Sequence, residues 1–385
     1  MTVRTAKLGN VIEINPRSNH SLASDSNVAF LSMADISEDG QILATQTRPL
    51  SEVAKGYTSF QNGDVLLAKI TPCFENGKAA LVHGMFSDVA FGSTEFHVLR
   101  PTEEIDGRYL YHLVWNPAFR AAGARRMTGS AGQKRVPTAF LSDFEIALPR
   151  FEEQKRIAAI LDKADSLRRK RQQAIHLADH FLRAVFLDMF GDPVTNPKGW
   201  PVKKLAEVGS LDRGVSKHRP RNDPSLLGGT HPLIQTGEVA NCDGYIRSHT
   251  ATYSDKGLAQ SKLWPAGTLC ITIAANIAKT GILMFDACFP DSVVGFSANN
   301  LATVEYVRFW LSFLQKTLEE NAPESAQKNI NLAILRNLSV PLPPLSELQK
   351  FEQIVNTIEE LRHASRNSLN SSDALTASLQ NEFFG

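Results

Sequence analysis

The sequence predicts an α+β protein: two pseudo-symmetric mixed α/β domains joined by two long helices that form an antiparallel coiled coil. Three observations predict it. Residues 133–191 repeat as 327–385 without a gap. Each copy runs into a long stretch free of Gly and Pro, with apolar residues at heptad spacing. Each is preceded by short β-branched and apolar runs punctuated by Gly.

The repeat is read first, because missing it would misread the fold. Adding 194 carries Gln133-Lys134 onto Gln327-Lys328, Leu148-Pro149 onto Leu342-Pro343, Glu153 onto Glu347, Leu167-Arg168 onto Leu361-Arg362 and Phe190-Gly191 onto Phe384-Gly385. Conservative pairs agree, such as Val136 with Ile330 and Ile146 with Val340. The heads repeat more weakly: Lys7-Leu8 matches Lys204-Leu205, and Gly63 and Gly77 match Gly267 and Gly281 at an offset of 204. Halves that share a plan but differ in content suit one operation on two different targets.

The helical seam is expected at Ile157, Ile160, Ala164 and Leu167, continuing through Arg171 to Ala174, Ala178, Phe181 and Val185. In the second copy it is expected at Phe351, Ile354, Ile358 and Leu361, continuing through Ser365, at the break equivalent to Arg171, to Ser368, Ser372, Leu375 and Leu379. A helix of about 36 residues spans about 54 Å, too long to bury its stripe on its own head alone, so the other copy is the simplest partner. Packing of each helix on its own head is the alternative. In the heads, Asp64–Ile70, Thr268–Ala274, Phe96–Leu99, Val28–Ser32 and Pro232–Gln235 read as strands, and Gly107–Ala124 and Val304–Glu320 as helices. The expected boundaries are a domain at 1–150, a helix at 151–190, a Pro/Gly-rich linker at 191–201, a second domain at 202–343 and a second helix at 344–385.

The 385 residues carry 41 basic and 40 acidic side chains, so the net charge of +1 neither announces nor excludes a nucleic-acid partner. No run of 18 apolar residues or signal-peptide stretch is seen, and Cys73, Cys242, Cys270 and Cys288 form no CxxC pair. Reduced thiols, a cytoplasmic location and no membrane are therefore expected. No phosphate loop, methyl-donor loop or nucleophile elbow holds up. Gly129-Ser-Ala-Gly-Gln-Lys134 imitates a phosphate loop, but its copy Pro323–Lys328 lacks both glycines. His176 and His180 have metal-ligand spacing, yet their repeat partners are Asn370 and Ala374, so no metal is expected. Glu153-Gln-Lys155 imitates the end of a nuclease signature; capping and ion pairing at a helix start explain it better.

What remains is clustered positive charge. The second head carries Arg213, Lys217, His218, Arg219 and Arg221 in one loop; the first carries Arg125, Arg126 and Lys134. Lys69 and Lys279 lie in or near the segments after Gly63 and Gly267, and Lys328 opens the second repeat block. These are the candidate DNA contacts, because Arg and Lys release counterions from phosphates and groove-facing loops can read bases. Each, taken singly, also fits plain surface.

The doubled pattern Gln133…Val136…Leu141…Ile146-Ala-Leu-Pro149…Glu153 and Gln327…Ile330…Leu335…Val340-Pro-Leu-Pro343…Glu347, each entering a heptad helix, resembles the specificity subunit of type I restriction-modification enzymes. Gly63-Asp-Val-Leu-Leu, Ile234–Val239 and the Met189–Trp200 linker add to the likeness, which covers essentially the whole chain. Arg150 departs from the usual Pro-Pro. The resemblance implies two target-recognition domains, each reading half of a bipartite asymmetric site on double-stranded DNA, with the helices setting the spacer. It implies two methyltransferase (modification) subunits and restriction/translocase subunits as partners. It implies no cofactor in this chain, with S-adenosylmethionine, ATP and Mg on those partners, and no catalysis here. A subunit of a related type IIB or IIG system and a duplicated protein scaffold are the alternatives.

Overall fold

The structure is a computed structural model that describes residues 4–17, 22–130, 132–274, 277–320 and 330–384. It contains two compact units: residues 1–172 with 367–385, and residues 173–366. Each unit thus holds one head, part of its own long helix and part of the other.

The first head has two four-stranded sheets. One runs Ile12–Ile14, Phe96–Pro101, Val65–Ala68, Ala79–Leu81, antiparallel throughout. The other runs Gln46–Pro49, Asn27–Leu31, Ala90–Gly92, Thr58–Phe60, with a parallel pair in the middle. The second head reproduces both orders and senses. Its sheets run Ser210–Arg213, Val293–Ser297, Leu269–Thr272, Thr280–Leu283, with Gly244–Ile246 added at one edge, and Ala251–Tyr253, Leu227–Leu233, Ala287–Cys288, Leu263–Trp264. In each head the first strand pairs with the last, Arg4–Lys7 with Glu145–Leu148 and Val202–Lys204 with Ser339–Pro341. That pairing returns the chain to the head's edge where the long helix begins. A tyrosine pins the same place twice: the Tyr109 hydroxyl donates to the Ala147 carbonyl at 2.9 Å, and that of Tyr306 donates to the Pro341 carbonyl.

The expected helix over 107–124 is two helices, Gly107–Trp115 and Pro117–Ala124. Pro117 excludes helical ψ at Asn116, which sits at φ −61°, ψ 133° and uses its side chain to cap the next helix at Ala118 N, 2.7 Å. The second late helix has no such break and spans Leu301–Glu320.

The long helices are Phe151–Phe190 and Leu345–Phe384. Acidic residues in their first turns, Glu152 and Glu153 in one and Glu347 in the other, face the positive helix ends. Gly191 terminates the first at φ 78°. The segment after it is tied down: Trp200 Nε1 donates to the Phe190 carbonyl and Lys198 Nζ to that of Met189, each at 3.0 Å, occupying carbonyls the helix end leaves open.

Within each unit the two helix segments run antiparallel. In the first, Ile157, Ala158 and Leu161 share a core with Leu379, Phe383 and Phe384, and Arg171 further along reaches back to Ser368 and Ser372. In the second, Asp179 pairs with Arg362 at 3.0 Å, while Phe186 and Phe190 meet Phe351 edge to face at 5.6 and 5.3 Å.

The buried stripe lies one residue later than the sequence suggested. Ala158, Leu161, Asp165, Leu182 and Phe186 are buried in the first helix, and Val355, Glu359, Arg362, Thr376 and Gln380 in the second. Of the expected seam, Ile157, Phe351 and Ser372 are buried, Ile160, Ala164, Ile354 and Ile358 are half-buried, and Leu167 and Leu361 are 45% and 60% exposed. One residue is about 100° of rotation. Two adjacent apolar stripes compete here, and the true seam includes charged residues that an apolar-only reading passes over.

Candidate nucleic-acid interface

In the first head, four of the basic candidates gather around one turn. Thr128 and Arg135 exchange backbone hydrogen bonds at 3.0 and 2.8 Å, Thr71 N donates to the Lys134 carbonyl at 2.9 Å, and Val136 N donates to that of Lys69 at 2.8 Å. This ladder brings Lys69 and Lys134 to the same edge as Arg125 and Arg126, which end the preceding helix. Arg125, Arg126 and Lys134 are exposed, whereas Lys69 is half-buried. Arg135 is committed elsewhere, forking onto Glu95 at 2.8 and 2.9 Å; that hydrogen bond holds the Glu95 carboxyl below the usual range. Arg125 and Arg126 line a surface cavity together with Phe140 and Phe144.

In the second head, the cationic loop folds around a carboxylate. Arg213 Nε donates to the Asp291 carbonyl at 2.9 Å, Arg219 approaches the Asp291 carboxylate at 3.6 Å, and Arg221 bonds to it. Arg213, Lys217, Arg219 and Arg221 remain exposed. The Lys217 backbone is fixed by Gln260 Oε1 at 2.7 Å while its ammonium extends to solvent. His218 pairs with Asp223 at 3.1 Å. Hydrogen bonds from Ser225, then from His218, hold the Asp223 carboxyl at about 2. Lys279 does not join this loop; it lines a cavity with Asp179, Arg308 and Arg362. Lys328 lies outside the described residues.

A buried ionic network seats the second head on its helices. Glu305 accepts from Arg308 Nε at 2.9 Å and from the Tyr245 hydroxyl. Burial pushes the Tyr245 phenol far above its ordinary range. Arg247 joins Glu359 at 3.3 Å, and Arg362 bridges Glu359 and Asp179. The first unit varies the theme: Asp165 holds Arg168 at 3.0 Å and also Arg169, Arg168 lies over the Trp115 ring at 5.3 Å, and His112 bonds Asp162 at 2.8 Å.

Sequence reasoning missed Asp291, the Glu305–Arg308 pair and the seam pairs Asp165–Arg168 and Glu359–Arg362. For the seam pairs a signal existed, since the 194-residue offset lays Asp165 on Glu359 and Arg168 on Arg362. Also unread was Asp39-Gly40, which an offset of 204 lays on Asp243-Gly244. Arg169 donates to the Asp39 carbonyl at 3.1 Å and Arg366 to the Asp243 carboxylate at 2.7 Å, so the same head loop docks on a long helix in both units. Among the described residues, no three His, Cys, Asp or Glu side chains gather as a metal site, and no helix is long and apolar enough to cross a membrane.

Comparison with known proteins agrees with this geometry. The chain is 43% identical to the EcoAI type I restriction enzyme specificity subunit of Escherichia coli over 153 residues, 39% of this chain and 26% of that one. It is 47% identical to the E. coli EcoEI specificity subunit over 113 residues, 29% of this chain and 19% of that one. These two matches therefore span about a quarter or less of those relatives. A putative type I specificity subunit, MjaX of Methanocaldococcus jannaschii, is 23% identical over 319 residues, 79% of this chain and 73% of that one. Among solved structures, the type I system S subunit of M. genitalium shares the fold with a TM-score of 0.64 at 13% identity, covering 100% of this chain and 96% of that one. A chain from a structure concerned with complex assembly and conformational transition of a type I R-M system gives 0.55 at 20% identity, covering 98% and 96%. The family model for the type I restriction modification DNA specificity domain matches twice, at residues 2–177 and 197–371. With both copies matched over most of its length, the chain belongs to the type I restriction-modification DNA specificity family.

Proposed function

We propose that this chain selects the DNA sequence on which a type I restriction-modification assembly acts, and performs no chemistry itself. One observation carries the reading: two heads of a single strand plan present dissimilar basic loops, the turn at 125–136 in one and Arg213–Arg221 in the other. A shared scaffold with divergent contact loops suits a bipartite, asymmetric double-stranded site, one half per head. The long helices then act as a ruler. Each has 40 residues, so it extends about 60 Å, enough to space half-sites about one DNA turn, or 34–36 Å, apart.

Docking of two modification subunits, and through them of restriction/translocase subunits, falls to the apolar residues the helices leave in solvent. These are Leu167 and Leu375 in the first unit and Leu177, Phe181 and Leu361 in the second. S-adenosylmethionine, ATP and Mg belong to those partners, and the assembly works in the cytoplasm.

The decisive experiment maps methylated bases across a host genome with and without this gene, in the presence of an active type I methyltransferase. A bipartite asymmetric motif that appears only with the gene supports the reading; no gene-dependent motif beside an active methyltransferase overturns it. Two variants refine it. Inserting four residues in the first long helix, about one turn, is expected to change the spacer and leave both half-sites intact. Replacing Lys217–Arg221 by alanines is expected to alter the half-site of the second head alone; equal loss at both half-sites would reduce the loop to a general electrostatic contact.

A further inference from the structure

The second unit contains a cavity of about 290 Å³ between its late helix and its two long-helix segments, lined by Arg183, Lys279, Arg308 and Arg362 together with Asp179 and Asp243. Its charges do not balance. Arg308 answers Glu305, Arg362 answers Glu359 and Asp179, and Arg366 answers Asp243. Both lining carboxylates are thus already held by arginines. Arg183, itself exposed, packs over the Phe313 ring at 4.3 Å, Lys279 is half-buried, and neither has a carboxylate partner among the described residues. Arg362, 4% exposed, keeps a buried Nε with no acceptor, so the cluster is short of acceptors as well as of negative charge. The backbone is committed to this arrangement: Ala278 takes φ 57°, unfavourable for a residue with a Cβ, and Lys279 N is fixed by Thr272 Oγ1 at 3.1 Å.

We propose that this cavity binds the phosphate group of a small soluble ligand. Two uncompensated cations match a phosphate dianion, whose oxygens supply the missing acceptors and suit guanidinium forks. The volume lies just below the range for small-molecule sites, about 300–1,000 Å³, and fits a phosphoryl group better than a whole nucleotide. The first unit is built without it. The 194-residue offset puts Ala377 in the place of Arg183, and the 204-residue offset puts Glu75 in the place of Lys279. Matching Tyr109 to Tyr306 puts Tyr111 where Arg308 stands. The inference does not rest on the DNA reading, because it concerns an anion held by one unit.

The test is thermal unfolding of the full-length chain in inorganic phosphate against chloride of equal ionic strength. A saturable rise in the transition of the second unit, specific to phosphate, is expected. Arg183→Met and Lys279→Met should each weaken phosphate binding about tenfold or more while melting normally in chloride, and Lys279→Arg should retain most of it. Arg183→Met should leave affinity for duplex DNA unchanged. Absence of a phosphate-specific rise overturns the proposal. So does a rise produced equally by duplex DNA and lost with DNA affinity in Arg183→Met, which would assign the cavity to a backbone phosphodiester.

Discussion

Arg362→Met is expected to destabilise the second unit by about 3–5 kcal/mol, the cost of leaving a buried charge uncompensated. Arg362 is 4% exposed and Glu359 7%, and the arginine is the nearer of the two cations on that carboxylate. Removing it leaves Glu359 to Arg247 alone, while Asp179, half in water, loses little. The double variant Glu359→Leu with Arg362→Met should recover much of the loss, because neither charge is then stranded. Denaturant unfolding of the two variants decides the matter. If the double variant is as unstable as the sum of both single changes, the two side chains are not coupled, and the stranded-charge account of the pair fails.

The second large effect separates neighbours in sequence. Leu182 is 1% exposed and Phe181 is 50% exposed. Leu182→Ala should cost about 2–5 kcal/mol through lost transfer energy and a cavity beside Phe186, whereas Phe181→Ala should stay within about 0.5 kcal/mol. Chemical denaturation reads both. The reverse ranking would put the seam back at Phe181 and undo the one-residue shift. On the proposed docking role of that face, Phe181→Ala is instead expected to weaken capture of a modification subunit in a pull-down.

The sequence made the doubled plan legible because the repeat needs no gap across the blocks that feed the helices. Strands such as Val65–Ala68 and Leu269–Thr272 could be read from their apolar runs behind Gly63 and Gly267. The helix register could not be read from apolarity alone. Leu167 and Phe181 advertise a seam at the right period, while the true one passes through Asp165, Arg168, Glu359 and Arg362, residues that periodicity counts as polar face. Asp165, Glu359 and Arg362 are buried and Arg168 half-buried, and each has an ion-pair partner on the same helix three residues away. The break at Asn116 was legible in Pro117 and was outweighed by the apolar periodicity around it. For the basic loop, residue type was visible but commitment was not. Asp291 lies far along the chain from Arg213 and Arg221, and nothing local ties it to them.

The division of the chain has a consequence for its synthesis. The second unit is one continuous stretch, 173–366, set inside the first, whose remaining piece is 367–385. As the nascent chain leaves the ribosome, the second head can close its core around Phe186, Trp310 and Phe351 as soon as its own helix segment emerges. The first head, made earlier, covers Ile157, Ala158 and Leu161 only in part until Leu379, Phe383 and Phe384 arrive. The part translated first is therefore the part completed last, and chaperones or proteases meet its exposed stripe throughout that delay.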